Sequence, residues 1–177
     1  AEALDSILAQ DFEDLELLIS DNASTDKTEH ICRQYAAKDP RIQYFRSEEN
    51  LGAAPNYNRV FHLSQGEYFK WLAHDDICAA SFLSRSVEVL DQDDDIVLCH
   101  SKIKIIDREG NSIDKNSKLY EWESTGTHNL ETNSAKPQTR FREIIGPHPC
   151  YQIFGLIRSS LLKTTPLIGS YSGSDRI

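Results

Sequence analysis

Residues 66–76 read GEYFKWLAHDD: a glycine suited to a turn, a mostly apolar run, and then two adjacent aspartates. The run holds large, strand-favouring side chains on both of its faces, namely Tyr68, Phe69, Trp71 and Leu72. A strand that is apolar on both faces is typical of a sheet covered by helices on both sides. This stretch therefore predicts a buried central strand that ends at a pair of carboxylates.

The two carboxylates are Asp75 and Asp76. In open α/β sheets ligands bind beyond the carboxyl ends of the strands, which is where this pair would lie. Adjacent carboxylates repel each other unless a cation joins them, and Mg²⁺ or Mn²⁺ suits them because it shares oxygen ligands with substrate phosphates. The alternative is that the pair caps the following helix, since Asp is favoured at helix N-termini. The spacing alone leaves both interpretations open.

Length and composition predict a single domain. A chain of 177 residues with 39% hydrophobic residues can bury one substantial core. The formal net charge of -9 argues against a nucleic-acid partner, although phosphate could still bind locally through a metal. Four cysteines without paired spacing favour reduced, inert thiols over a zinc site. The sequence shows neither an apolar run of roughly 20 residues nor a signal peptide.

Helix and strand patterns alternate along the first hundred residues. After an opening helix near residues 3–8, strands are predicted at 15–19, 42–45, 68–73 and 96–99, and helices at 24–37, 55–64 and 81–92. This alternation predicts a doubly wound α/β sheet that is mostly parallel, with helices on both faces.

The pattern changes after residue 100. Residues 103–106 and a partner near Ile113, around a turn at 109–111, predict a small antiparallel hairpin. The polar stretch 115–138 is long enough to be a functional lid or a disordered loop. A short helix near 141–145, a strand through 152–157 and a helix from Ser159 complete the prediction.

Three segments, taken in order, resemble the family 2 nucleotide-sugar glycosyltransferases, which have the GT-A fold. They are ILAQDFEDLEL at residues 7–17, SDNASTD at residues 20–26, and the stretch 66–76. Asn50, Leu51, Gly52 and Asn58 extend the resemblance between the second and third segments. Each motif is weak alone, but their ordered recurrence on matching elements is specific.

The resemblance implies a GT-A, Rossmann-like sandwich in which residues 1–177 form one glycosyltransferase domain. Residues 1–100 would be the nucleotide-binding half and residues 101–177 the acceptor-side half. The family has a first strand and a nucleotide-contacting loop that would precede Ala1, and the sequence lacks an initial methionine. We therefore expect a chain trimmed at both ends.

The resemblance also implies roles for individual carboxylates. The family's acid in the turn after the second strand contacts the nucleotide base, which corresponds to Asp21. Asp75 and Asp76 match the acidic motif that holds the nucleotide ribose and the diphosphate-bound metal, with Asp76 as the direct ligand. The family often writes this motif as Asp-x-Asp, and here His74 stands at its first position. For Asp21, the alternative is that it only stabilises a turn.

The segment GSDR at residues 173–176 resembles the family segment that supplies the catalytic base just before a helix. This resemblance makes Asp175 the candidate base, which would take the proton of an acceptor hydroxyl as that oxygen attacks the anomeric carbon. One such displacement inverts the anomeric centre. The alternative is that Asp175 is a helix N-cap.

The resemblance therefore implies an inverting, Mn²⁺- or Mg²⁺-dependent glycosyltransferase. The expected donor is a nucleotide-sugar, with UDP as the nucleotide, and the expected acceptor is a saccharide or glycoconjugate in surface polysaccharide biosynthesis. We expect a cytoplasmic location at the inner face of the membrane, with any membrane association through parts outside this sequence. Two alternatives are a metal phosphohydrolase that uses His74 and Asp75, and a nucleotide-binding GT-A-like module without turnover.

Overall fold

The computed structural model describes residues 1–113, 134–145 and 151–171 of the chain. Contacts between residues divide the chain into two compact units, the first joining residues 1–100 to the segment that follows Ile153, and the second holding residues 101–153. The expectation of one domain over residues 1–177 stays a prediction.

The described elements alternate between helix and strand. In chain order they are α1 (Glu2–Leu8), β1 (Leu17–Asp21), α2 (Thr28–Ala36), β2 (Ile42–Arg46), α3 (Ala53–Leu63), β3 (Tyr68–Phe69), α4 (Phe82–Gln92), β4 (Leu98–Cys99), α5 (Pro137–Ile145), β5 (Leu156–Arg158) and α6 (Ser159–Leu162), with a 3-10 turn at Tyr151–Phe154 before β5.

A parallel pair of strands, β1 and β2, lies in the first unit. Leu17 is opposite Ile42, and the register continues to Asp21 opposite Arg46. Helix α2 connects the two strands and packs against both of them. Its apolar residues repeat at helical spacing, and Cys32 on that face is buried. Helix α3 packs on β1. The carboxyl ends of both strands therefore open at the same edge, where Asp21 ends β1.

The second sheet of this unit is antiparallel, with strand order β3-β5-β4. Tyr68 is opposite Arg158, and Leu98 is opposite Ile157. The parallel pair and the small antiparallel sheet confirm the α/β fold class. The prediction of a central strand over residues 68–73 was wrong in length, because the ladder stops at Phe69.

Trp71, two residues beyond Phe69, is nevertheless buried, and Leu72 and Ala73 are half-buried. The Phe69 ring contacts Phe61 of α3 at a centroid distance of 5.0 Å and Trp71 at 4.9 Å, both edge to face. Trp71 is almost fully buried. An apolar run predicts that its side chains are buried, but it does not specify a strand partner for its backbone. The side chains after Phe69 can therefore pack into the core although the β3–β5 ladder has ended.

Helix α4 contributes the centre of another core cluster. Leu83 and Leu90 are buried there together with Leu156 of β5. Leu83, Val87 and Leu90 repeat at helical spacing on one face of α4, and Val87 packs against the buried cluster. Within the described part of the chain, no helix is long and apolar enough to cross a membrane.

The second unit contains the predicted hairpin. Ile106 bridges Ser112, and the N–H of Asp107 donates to the carbonyl of Asn111 across the turn at Gly110, whose φ is +81°. The expected strand at 152–157 is shorter, because a 3-10 turn occupies Tyr151–Phe154. The predicted lid or disordered loop at 115–138 lies outside the described residues up to residue 133, and its last residues belong to α5, which begins at Pro137.

Candidate functional site

Asp21 is the last residue of β1, directly before the turn that follows the strand, and its side chain is 0% exposed. Its Oδ1 accepts a hydrogen bond from the N–H of Ser24 at 2.7 Å, and its Oδ2 accepts one from the Tyr44 hydroxyl at 2.6 Å. The Nε atom of Arg46 lies 3.7 Å from Oδ2. Ala23 adopts a φ of +62° inside this turn. Asp21 thus holds an unusual backbone conformation in place, as the turn-stabilising interpretation requires.

The electrostatics of Asp21 favour the ionised form. Burial raises its pKa, but the hydrogen bonds from Tyr44 and Ser24 and the charge of Arg46 outweigh burial, so the pKa lies below its usual value. Burial and the hydrogen bond to Asp21 raise the pKa of the Tyr44 hydroxyl. Both oxygens of Asp21 therefore have donors within the protein, and its predicted contact with a nucleotide base stays a prediction.

Asn22 joins the turn after β1 to the loop after β2. Its Nδ2 donates to Asn50 Oδ1 at 2.7 Å and to the carbonyl of Gly52 at 3.0 Å, and its Oδ1 accepts from the N–H of Leu51 at 2.9 Å. Gly52 has a φ of +88°, which a residue with a side chain rarely adopts, and it directly precedes α3. These two loops are thereby fixed together at the carboxyl end of the parallel strands.

Asp75 and Asp76 lie on one exposed turn, which the N–H of Asp76 closes by donating to the carbonyl of Ala73 at 3.2 Å. The side chain of Asp75 is 73% exposed, and His74 Nδ1 lies 3.8 Å from its Oδ1. The pair does not cap α4, because that helix begins at Phe82 with Ser81 at the N-cap position. The capping interpretation is therefore wrong, and the carboxylates are available to solvent.

Asp76 is held in an environment that disfavours its charge. Partial burial is the larger cause and the charge of Asp75 the next, and together they raise the pKa of Asp76. Lys70 opposes this only partly, since its ammonium lies 4.8 Å from the centre of the Phe82 ring and donates to the carbonyl of Phe154. Burial, Asp76 and Asp75 also raise the pKa of Tyr57, whose side chain shares this negative field.

Gln10 fixes the chain between the acidic turn and α4, a role that our sequence reasoning missed. Its Nε2 donates to the carbonyl of Ala79 at 2.8 Å, and its Oε1 accepts from the N–H of Leu83 at 3.0 Å, in the first turn of α4. The N–H of Asp11 donates to the carbonyl of Ala80 at 3.0 Å. Gln10 is buried, and a polar residue at the end of an apolar helix pattern was the available signal.

The acidic turn fits a hard divalent cation. Two adjacent, exposed carboxylates supply oxygen donors, and partial burial together with the charge of Asp75 raises the pKa of Asp76, so the free turn disfavours the ionised pair. No group of three or more His, Cys, Asp or Glu side chains that could enclose a metal occurs in the described ranges. This donor set suits an ion that takes its other ligands from a diphosphate and water. The remaining predicted residue, Asp175, lies outside the described residues.

Comparison with known structures gives the class of protein. The chain superposes on the mannosyltransferase PcManGT from Pyrobaculum calidifontis, in complex with GDP-Man and Mn²⁺, with a TM-score of 0.65 and 18% identity, over 99% of this chain and 45% of that one. It superposes on residues 1–349 of S. aureus TarS in complex with UDP with a TM-score of 0.63 and 20% identity, over 99% and 48%. The fold is therefore that of the GT-A glycosyltransferases.

The sequence comparisons give the family. The family model described as Glycosyl transferase family 2 matches residues 1–164, so the chain belongs to glycosyl transferase family 2. An uncharacterised glycosyltransferase of Methanocaldococcus jannaschii is 32% identical over 111 residues, which are 62% of this chain and 38% of the relative. One from Rickettsia typhi is 34% identical over 114 residues, 63% of this chain and 34% of the relative. The chain thus matches little more than a third of these relatives' lengths.

Proposed function

We propose that this chain binds the donor in a metal-dependent, inverting glycosyltransferase. The donor is a nucleotide-sugar with UDP as the nucleotide, and the acceptor is a saccharide or glycoconjugate of a surface polysaccharide pathway. The observation that carries the proposal is the exposed turn of Asp75 and Asp76, where two carboxylates repel each other in a chain of family 2.

Each carboxylate has its own role in this proposal. Asp76 would bind Mn²⁺ or Mg²⁺, and Asp75 would bind the nucleotide ribose. The bound cation would offset the charge of the departing diphosphate. Asp21 would lie on the side of the donor site that contacts the nucleotide base, and it would act either through its own carboxylate or through the turn that it holds. The loops joined by Asn22 close that side, since they lie at the carboxyl end of the parallel strands.

Asp175 is the proposed catalytic base. In this step the acceptor oxygen forms a bond to the anomeric carbon, its proton passes to the carboxylate, and the bond from that carbon to the diphosphate oxygen breaks. A single displacement of this kind inverts the anomeric configuration. The resemblance of residues 173–176 to the family's base segment is the support for this assignment.

The donor class is supported by the complexes of the two similar structures. One holds GDP-Man with Mn²⁺, and the other holds UDP. For this chain we propose a cytoplasmic site of action at the inner membrane face. A phosphohydrolase built on His74 and Asp75 would need further His or Asp ligands, and the residues that the structure describes hold no such cluster.

Thermal unfolding in the presence of nucleotides tests the proposal. UDP, GDP, dTDP and CMP are each added with Mn²⁺ or with a chelator, and uridine with Mn²⁺ serves as the matched control without a diphosphate. Ligand at 100 times its dissociation constant stabilises by about 2.7 kcal/mol, which raises Tm by about 5–10 °C for a chain of this size. We expect this rise with UDP and Mn²⁺ together.

The outcomes separate the competing functions. A rise with another nucleotide corrects the donor class, and a rise that the chelator leaves unchanged contradicts the metal role of the acidic turn. Tight binding of UDP and Mn²⁺ without sugar transfer to any saccharide acceptor favours a nucleotide-binding module without turnover. Release of phosphate without a glycosylated product favours the phosphohydrolase.

A further inference from the structure

The segment that leaves the acidic turn, residues 78–80, lies against the end of α1. The N–H of Cys78 donates to the Ser6 hydroxyl at 3.1 Å, and that hydroxyl in turn donates to the carbonyl of Ala3 at 2.8 Å. Ser6 Oγ therefore uses its single hydrogen inside the helix and offers a lone pair to the segment. Cys78 follows Asp76 by only two residues, so this contact is made very close to the proposed metal ligand.

Gln10 holds the same segment with both polar atoms of its side chain. Its Nε2 donates to the carbonyl of Ala79 at 2.8 Å and to the carbonyl of Ser6 at 3.0 Å, and its Oε1 accepts from the N–H of Leu83 at 3.0 Å. The amide is buried, and its two hydrogens and its oxygen are all satisfied within the protein. Because the Ser6 carbonyl is one of these partners, Gln10 and Ser6 form one connected group.

Burial of side chains contributes little to holding this segment. Cys78 is half-buried, but Ala79 and Ala80 are exposed, and Ile77, which directly follows Asp76, is 48% exposed. A segment that buries little apolar surface opens easily unless hydrogen bonds retain it. The hydrogen bonds to the end of α1 are therefore what fixes the chain where it leaves the acidic turn.

The chain that enters the acidic turn is fixed by a different helix. Trp71 is nearly fully buried, and its Nε1 donates to the carbonyl of Tyr57 in α3 at 2.8 Å. The hydrogen bond from the N–H of Asp76 to the carbonyl of Ala73 closes the turn between the two anchors. Two residues of chain reach at most about 7 Å, so an anchored Cys78 confines the backbone of Asp76 to a small region.

We propose that Ser6 and Gln10 are positioning residues for the metal, which hold the exit of the acidic turn so that Asp76 meets the cation at a fixed place. Neither residue touches the donor, the acceptor or the metal in this proposal. Groups that orient the ligands of a metal contribute about 10–100-fold to metal affinity or activity. The inference rests on the proposed function, because it needs the cation at Asp76.

The test compares variants of the full chain that differ by a single hydroxyl. Ser6→Ala removes the acceptor of the Cys78 N–H, and Ser6→Thr restores a hydroxyl at the same position. Ser64→Ala is the matched control, because the Ser64 hydroxyl makes the same bond three residues back, to the carbonyl of Phe61 at 2.7 Å, at the end of α3. Gln10→Met replaces the buried amide with an apolar side chain of similar length. Should Gln10→Met fail to fold, the Ser6 variants decide the outcome.

Amide hydrogen exchange of the metal-free protein measures whether the segment is held. The peptide that covers residues 74–81 should exchange about fivefold faster in Ser6→Ala, the range expected for the loss of one hydrogen bond. It should exchange at least about tenfold faster in Gln10→Met, which loses several. Ser6→Thr and Ser64→Ala should match the wild type.

An anchor elsewhere in the same unit supplies an internal control. Asn56 Oδ1 accepts from the Ser20 hydroxyl at 2.7 Å, and its Nδ2 donates to the Ser20 carbonyl at 3.1 Å, directly before Asp21. The peptide that covers residues 17–24 is held by this amide and not by α1. Its exchange should be unchanged in every variant.

Mn²⁺ binding in the presence of UDP measures whether holding the segment matters for the site. The midpoint of a Mn²⁺ titration, followed by the electron paramagnetic resonance of free Mn²⁺, should rise about tenfold in Gln10→Met and about threefold in Ser6→Ala. At saturating Mn²⁺, kcat for transfer from the UDP-sugar should stay within about twofold of the wild type, because the bound cation then holds the turn in place.

Several results would overturn the inference. Unchanged exchange at residues 74–81 in both Ser6→Ala and Gln10→Met shows that the end of α1 does not hold the exit of the turn. Faster exchange with an unchanged Mn²⁺ midpoint overturns the positioning role alone and leaves the proposed function standing. A lower kcat at saturating Mn²⁺ with an unchanged midpoint indicates general damage to the fold and also contradicts the role. A wild-type chain that binds no Mn²⁺ with UDP overturns the proposed function, and the positioning role with it.

Discussion

Two of the acidic turns that the structure describes place an aspartate side chain in opposite environments. After β1, the Asp21 side chain is 0% exposed, both of its oxygens accept hydrogen bonds, and its pKa lies below the usual value. Beyond β3, Asp75 is 73% exposed and repels Asp76, whose pKa is raised by partial burial and by the charge of Asp75. The first turn satisfies its carboxylate within the protein, whereas the second leaves two adjacent carboxylates exposed to solvent.

This difference separates stability from binding. A buried carboxylate with charge-assisted donors stabilises the fold and has little reason to exchange them for a ligand. Two neighbouring carboxylates without such donors lose stability in the free protein and gain it when a cation joins them. Functional residues of this kind are commonly kept at a cost to the fold. A substitution at Asp21 should therefore mainly lower the stability of the fold, whereas a substitution at Asp76 should mainly lower metal-dependent transfer.

The largest expected effect is on transfer at the exposed turn. Asp76→Asn keeps the size of the side chain but removes the charge that the proposed metal requires. We expect metal-dependent transfer to fall by at least about 10²-fold, the size of effect found when one electrostatic contact to a transition state is lost. Initial rates across a Mn²⁺ titration, with UDP-sugar and a saccharide acceptor, measure this loss.

Two controls sharpen that experiment. Asp95→Ala removes an exposed aspartate from the turn after α4 and should transfer at the wild-type rate. The far-UV circular dichroism of Asp76→Asn should match the wild type, because the Asp76 side chain is exposed. Full activity of Asp76→Asn at every Mn²⁺ concentration would remove the proposed metal site from the acidic turn.

The next effect is on stability at the buried turn. Asp21→Asn leaves the Tyr44 hydroxyl facing an amide that cannot accept its proton through Nδ2, and it removes the charge that Arg46 faces. An unsatisfied buried group costs about 1–3 kcal/mol, so urea unfolding should show a loss in that range. Transfer per folded molecule should fall far less than in Asp76→Asn if Asp21 acts through the turn.

Tyr44→Phe completes a double-mutant cycle for the same contact. Each single variant removes the 2.6 Å hydrogen bond between the Tyr44 hydroxyl and Asp21, so the double variant should lose less than the sum of the two single losses. Strictly additive losses would show that the hydrogen bond does not couple these residues, and the buried turn would then owe its stability to Ser24 and Arg46 alone.

Local patterns in the sequence predicted much of this fold. The apolar runs at β1 and β2, the i, i+3, i+4, i+7 spacing of Thr28, Ile31, Cys32 and Tyr35 in α2, and the polar turns between these elements are all short-range features. They sufficed for the parallel pair and for α4. The strand after Gly66 was predicted too long because its ladder depends on residues 156–158, which are far away along the chain.

The sequence predicted the candidate aspartates of the site, but it did not predict the side-chain amides that hold the surrounding segments in place. The aspartates Asp21, Asp75 and Asp76 were visible, because acids after apolar runs are a local signal. Gln10, Asn22 and Asn56 were not recognised as anchors, since a side-chain amide that binds a distant backbone has no periodic pattern. Asn58 was visible only through the family resemblance, and its partner Ile168 lies 110 residues away. Long-range polar contacts of this kind require the fold before they can be assigned.

The smallest expected effect is a difference in the sign of the pH dependence of stability. Asp21 has a lowered pKa in the fold, so its contribution is fully present above the usual Asp value and is lost as the pH falls through the folded value. The stability deficit of Asp21→Asn should therefore shrink as the pH falls below about 4.

Asp76 has a raised pKa in the fold, so the folded state keeps a proton that the unfolded state has already lost, and stability falls as the pH rises through that interval. Asp76→Asn avoids this loss. It should match the wild type at about pH 3 and exceed it above the interval by about 0.5 kcal/mol or less, the usual range for exposed positions. Urea unfolding of both variants at several pH values measures the two trends without metal. If the stabilities of the two variants changed with pH in the same direction, the two turns would not differ in the free protein. In the presence of saturating Mn²⁺ and UDP, the wild type should become more stable than Asp76→Asn, because only the wild type keeps the proposed cation ligand.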